Sequence, residues 1–130
     1  MKPELLYLCY ATVLTGVLWV PYILDRVLTR GVISAVGYEE QPKPQSKWAQ
    51  RLMKAHGNAV ENLVVFATLI LLANAMGVSN AIIATASMLY FWARLVHAVT
   101  YTLGIPWIRT LAFLTGFAAQ AMVALQLLSH

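Results

Sequence analysis

The chain is 130 residues long, 60% hydrophobic and only 11% charged, with a formal net charge of +4. Soluble domains are about 25% charged, and a water-soluble globule this apolar would expose a patch that monomers rarely tolerate. A soluble or disordered chain is therefore excluded, and a single domain over 1–130, embedded in the lipid bilayer, is expected.

Four hydrophobic segments predict an all-α integral membrane protein, a four-transmembrane-helix bundle with helices over 5–28, 46–76, 80–103 and 106–128. Leu5–Leu24 carries no charge and is long enough to cross a hydrocarbon core of ~30 Å. Its length, Glu4 ahead of it and Pro21-Tyr22 at its end argue against a cleaved signal peptide. Pro21 is expected to kink the last turns before Asp25 and Arg26. Thr29–Lys47, with Gly31, Gly37, Pro42, Pro44 and charges of both signs, reads as an interfacial loop. Ser46 is a candidate N-cap for the second helix. Gly77-Val78-Ser79-Asn80 reads as a tight turn. Gly104-Ile105-Pro106 reads as a C-cap glycine followed by a proline suited to the first position of a new helix.

Basic residues set the expected topology. Arg26, Arg30, Lys43, Lys47, Arg51 and Lys54 flank the first connection and Arg109 follows the third, against Lys2 alone at the other end. Both basic connections should face the cytoplasm and both termini the opposite side. The basic residues are not interleaved with stacking aromatics, so no nucleic acid is expected as partner.

Ionisable groups within a span cost roughly 2.5–3.5 kcal/mol each, so they should pair, snorkel or do chemistry. At ~100° per residue, Arg51, Lys54, Asn58, Glu61 and Asn62 share one arc of the second helix, with His56 well away from it. Tyr90, Arg94, His97 and Tyr101, spaced by four, three and four, form a stripe on the third. Arg109, Thr110, Phe113, Gly116, Phe117 and Gln120 share a face of the fourth. Lys54, Asn58, Glu61, His97, Tyr101, Arg109 and Thr110 can then line one cavity near the cytoplasmic side. It suits a small zwitterion with excess negative charge. The carboxylate would take an ammonium, and the cations would take carboxylates or a thiolate. The plainer alternative pairs Glu61 with Arg94 and uses Asn58, Asn62 and Gln120 as interhelical glue. Tyr90, Trp48, Trp92 and Trp107 read as packing or belt aromatics. No metal is expected, because His56, His97 and His130 lack ligand spacing and Cys9 is the only thiol. There is no phosphate loop and no Ser-His-Asp set.

Three motifs in order resemble the MAPEG family, the membrane-associated proteins in eicosanoid and glutathione metabolism, across nearly the whole chain. Lys54-Ala55-His56-Gly57-Asn58-Ala59-Val60-Glu61-Asn62 is similar to its [RK]-A-x-x-N-x-x-E signature. Arg94-Leu95-Val96-His97-Ala98-Val99-Thr100-Tyr101 resembles R-x-x-[HY]-x-x-x-Y, and Pro106-Trp107-Ile108-Arg109-Thr110 resembles P-x-[IL]-R-[ST]. The small bacterial members are the nearest in appearance. The resemblance implies a homotrimer in a bacterial inner membrane, with the cosubstrate glutathione between adjacent subunits near the cytoplasmic side. It further implies binding through Lys54, His56, Asn58, Glu61, His97, Tyr101 and Arg109. Arg109 and Thr110 would be catalytic, stabilising the sulfur as its anion against a lipophilic small-molecule electrophile. The chain departs from the pattern at three places. Thr15–Trp19 holds no arginine, Gly57 replaces a basic residue and Phe113 replaces a tyrosine of the prostaglandin E synthase branch. Two further readings stay open: a non-catalytic or ligand-divergent protein on the same fold, and a small multidrug-type transporter using Glu61.

Overall fold

The computed structural model describes all 130 residues and contains only helices, turns and loops. Four stretches are long and apolar enough to span a membrane: Pro3–Arg30, Lys47–Met76, Ala81–Leu103 and Pro106–Leu128. The first is two helices, α1 (Pro3–Val17) and α2 (Trp19–Arg30), with a break at Leu18. Pro21 explains the position of that break. It has no N–H for the carbonyl of Val17, and its ring collides with that carbonyl, so the disruption lies one turn ahead of the proline.

The expected interfacial loop contains a short helix, α3 (Val32–Val36), which the sequence reading did not place. Gly31 and Gly37 bracket it, and the Gly31 φ of 80° turns the chain sharply out of α2. The rest of the loop is pinned back on α2. Arg30 Nε donates to the Lys43 carbonyl at 2.7 Å, and Gln45 Nε2 donates to the Tyr22 carbonyl at 2.7 Å.

Helix α4 (Lys47–Met76) starts after Ser46, as expected, but the cap is not made by Ser46 itself. Its hydroxyl donates to Asp25 Oδ1 at 2.6 Å, and its backbone N–H donates to Asp25 Oδ2 at 3.1 Å. A carboxylate from α2 thus sits at the positive end of α4. The α4–α5 turn follows the sequence reading closely. Gly77 ends α4 with φ 71°, and Asn80 caps α5 (Ala81–Leu103) by accepting from the Ile83 N–H at 2.9 Å. Gly104 ends α5 with φ 77°, and Pro106 opens α6 (Pro106–Leu128).

Helix α5 is the centre of the bundle, packing against α1, α4 and α6. The core lies in the half nearest the chain termini. There the Phe66 ring stacks on Tyr90 with centroids 3.8 Å apart, surrounded by Leu8, Ala11, Ile70, Ile83, Ala119 and Val123. The outer surface is apolar, with Trp92, Trp107, Leu111, Leu114 and Phe117 exposed, as contact with lipid requires. Lys2 donates to Asn74, Ser79 to Glu4 and Asn80 to Gln126. These bonds bring both termini and the α4–α5 turn to one end, here the terminal end. The long loop and the α5–α6 turn form the other, the loop end.

Candidate functional site at the loop end

The cavity forms where α4, α5 and α6 meet near the loop end. It has a volume of about 260 Å³ and is lined by Asn58, His97, Tyr101, Arg109, Thr110 and Phe113. Tight caps explain why α5 and α6 deliver these residues together. The αL glycine at 104 reverses the chain within two residues, so Tyr101 near the end of α5 meets Arg109 in the first turn of α6. The Arg109 guanidinium carbon lies 4.8 Å from the centroid of the Tyr101 ring, a cation–π contact that holds the arginine over the cavity.

His97 is 2% exposed, with its ring 5.5 Å from that of Tyr101 and 6.2 Å from Phe113. Its Nδ1 is buried with no hydrogen-bond partner. Buried polar atoms are normally paired, so this orphan nitrogen, sealed behind the cavity wall, is a cost that the packing around it carries. Thr110 differs from expectation. Its hydroxyl donates to the Pro106 carbonyl at 3.0 Å, so the proton meant for a ligand is committed to the backbone in this geometry.

Arg94 is 4% exposed and does not pair with Glu61. Its Nη2 instead donates to Asn58 Oδ1 at 2.7 Å, while Nε is buried without a partner. Asn62 Nδ2 donates to the Asn58 carbonyl at 2.8 Å and to Asn58 Oδ1 at 3.3 Å, and Gln120 Nε2 donates to the Asn62 carbonyl at 3.1 Å. The interhelical glue expected of Asn58, Asn62 and Gln120 is therefore present, centred on Arg94.

A family model described as the MAPEG family matches residues 5–129. The chain belongs to the MAPEG family. Neither a curated protein nor a solved structure matches it.

Within this MAPEG chain, the structure brings together Asn58, His97, Tyr101, Arg109 and Thr110 and leaves the other expected residues outside the cavity. Lys54 and Glu61 are exposed, one turn before and one turn after Asn58 on the same face of α4. His56 shares a hydrogen bond of 2.8 Å between its Nδ1 and the Tyr22 hydroxyl, which ties it to α2. Arg51, expected on the polar arc, caps α5: its Nε donates to the Thr102 carbonyl at 2.8 Å. Sequence reasoning missed the tie between Arg94 and Asn58. The signal for it was the spacing of the two polar stripes, which places both residues at similar depth from the loop end.

Proposed function

We propose that the protein is a membrane-bound, glutathione-dependent transferase or peroxidase for lipophilic electrophiles. It works as a homotrimer, with its site at the cytoplasmic side of a subunit interface in a bacterial inner membrane and both termini on the non-cytoplasmic side. The observation that carries this reading is the convergence of Asn58, His97, Tyr101, Arg109 and Thr110, from three helices, on one cavity. The wall offers a guanidinium, an amide, a phenol and an imidazole ring, and no carboxylate. That donor set fits the carboxylates and sulfur anion of a tripeptide thiol.

The ammonium of such a ligand needs a different partner. Glu61 is suitably placed, one turn from Asn58 on the open side of α4. The cavity volume of about 260 Å³ is below the ~300–1,000 Å³ of most small-molecule sites. Both points support a site that a neighbouring copy completes, with Lys54 and Glu61 facing the junction. The orientation rests on the basic residues, which lie at the loop end except for Lys2 and the mid-span Arg94.

Glutathione supplies the nucleophile. Arg109 holds its sulfur in the anionic form, since a neighbouring cation lowers a thiol pKa by units and the thiolate is the reactive species. Tyr101 steadies Arg109 from below. Thr110 assists after rotation about χ1 releases its hydroxyl from Pro106. The electrophile reaches the sulfur from the lipid side.

The test is a thiolate titration in detergent. Adding glutathione to the purified wild type should produce ultraviolet thiolate absorbance, and Arg109→Ala should abolish it while the assembly persists. No thiolate in the wild type, with no conjugation across a panel of electrophiles, sinks the reading. A ligand-divergent or non-catalytic MAPEG-fold protein is the second reading. The Thr110–Pro106 bond and Phe113 in the wall, in place of a tyrosine hydroxyl, favour it. It predicts that other small thiols or anions bind in preference to glutathione, or that Arg109→Ala changes no glutathione-linked property.

A further inference from the structure

Arg94 lies outside the cavity wall yet is the only buried cation of the span. As helix glue it is a costly choice, because an arginine within the bilayer is expensive where an amide would serve. Its geometry points elsewhere. A guanidinium has donors and no acceptor, so the Asn58 atom it meets at 2.7 Å must be the amide oxygen. Asn62 gives the same oxygen a second donor at 3.3 Å, and the Asn62 amide is oriented by the Asn58 carbonyl. Oδ1 of Asn58 is thus occupied on both sides. Its Nδ2 bonds to nothing in the chain and is not among the buried, sealed-off atoms. Asn58 lines the cavity.

We propose that Arg94 is a positioning residue that acts through Asn58: it locks the carboxamide so that its N–H groups, not its oxygen, face the cavity. The site is thereby restricted at this point to a ligand group that accepts hydrogen bonds, a carbonyl or carboxylate. The proposal rests on the cavity being a ligand site of the proposed kind, and it names which polarity that site reads.

Two experiments on the full-length protein in detergent test it, with assembly and thermal melting followed in each variant. Asn58→Asp keeps an acceptor for Arg94 but replaces the donors facing the cavity. It should assemble with a melting temperature at or above wild type and lose glutathione binding by more than tenfold. Retained binding would show that the oxygen faces the ligand and overturn the proposal. Arg94→Leu should weaken glutathione binding about tenfold, the equivalent of one lost hydrogen bond, but should add little in an Asn58→Ala background. Equal losses in both backgrounds would show that Arg94 acts independently of Asn58.

A third readout needs neither glutathione nor a stable Arg94→Leu protein. In protein labelled with ¹⁵N-asparagine, the Asn58 side-chain amide should shift in Arg94→Lys, which keeps the charge and loses the planar fork. An unshifted amide overturns the lock. A wild type that binds no glutathione but shows this shift overturns the proposed function alone.

Discussion

The two ends of the bundle are made from the same helices and are built on opposite rules. At the terminal end, Phe66 and Tyr90 stack, Ile70, Ile83, Ala119 and Val123 close around them, and short polar links such as Ser79 to Glu4 tie the termini to the α4–α5 turn. From mid-span toward the loop end the helices carry Arg94, His97, Asn58 and Arg109, with Arg94 Nε and His97 Nδ1 buried and unpartnered, where the terminal end has one such atom, the acceptor Glu4 Oε2. Lipid is as apolar as the helix surfaces, so helices associate by close packing and polar bonds rather than by expelling water. A closely packed terminal end therefore holds the helices in place and leaves the loop end free to keep donors without partners. Along α5 the change takes place within about two turns, ~11 Å at 1.5 Å per residue, between Tyr90 and His97.

Substitutions at the two ends should therefore separate function from stability. The largest effect is expected at the loop end. Arg109→Ala should lower conjugation by about 10²–10³-fold, the usual result of deleting one charge-stabilising donor, with melting changed little because Arg109 is half-exposed and makes no side-chain hydrogen bond or ion pair within the chain. A comparable fall in melting temperature would mean that the site also holds the fold. The next effect belongs to the terminal end. Phe66→Ala should destabilise by about 2–3 kcal/mol, because in lipid only the packing part of the usual ~3–5 kcal/mol is lost. Glutathione affinity per folded molecule should stay within twofold, measured by binding after removal of aggregate. A loss of affinity without a loss of stability would break the comparison from the other side.

The two tight turns, one at each end, were legible in the sequence because their devices are local. Gly77, Asn80, Gly104 and Pro106 act within a few residues of themselves, and each turn falls where those residues place it. Helical phase puts His97 and Tyr101 on one face of α5 and Arg109 and Thr110 on one face of α6, and the four line the same cavity, though it does not bring Lys54 or Glu61 there. What stayed hidden depends on backbone groups or on partners far along the chain. Arg51 bonds the carbonyl of Thr102, which every residue possesses and no pattern marks. Asp25 reaches Ser46 across the loop. Arg94 had two candidate partners on α4, Asn58 and Glu61, about one turn apart, and helical phase alone does not choose between them. The helix α3 was missed because Val32, Ile33 and Val36 make too short a run to show a period.

The third prediction sharpens the loop end's dependence on long-range links. Asp25→Ala removes the acceptor for the Ser46 hydroxyl and N–H and should cost about 1–2 kcal/mol, the upper range for a lost helix cap. The segment 37–46 should be nicked faster by added protease, while Phe66–Tyr90 packing and glutathione affinity are little changed. An unchanged nicking rate would mean that Arg30 and Gln45 hold the loop without Asp25.

The smallest effect compares like with like. Gly77 and Gly104 end α4 and α5 with nearly the same backbone, φ 71° and 77°. An alanine at either site carries the left-handed penalty, about 1–2 kcal/mol. Their surroundings differ. A Cβ at 77 meets nothing within 4 Å, whereas one at 104 comes within 3.4 Å of the Arg51 guanidinium. That guanidinium is the group bonded to Thr102. At that distance the methyl packs on the guanidinium and does not displace it. Gly104→Ala should therefore cost less than Gly77→Ala by about 0.5 kcal/mol, the worth of a few dispersion contacts. The difference should disappear in an Arg51→Ala background, where the methyl has nothing to pack on. Melting temperatures of the four variants decide it. If Gly104→Ala proves worse than Gly77→Ala, the methyl drives Arg51 off the Thr102 carbonyl, and the cap that Arg51 places on α5 is the tighter constraint at the loop end.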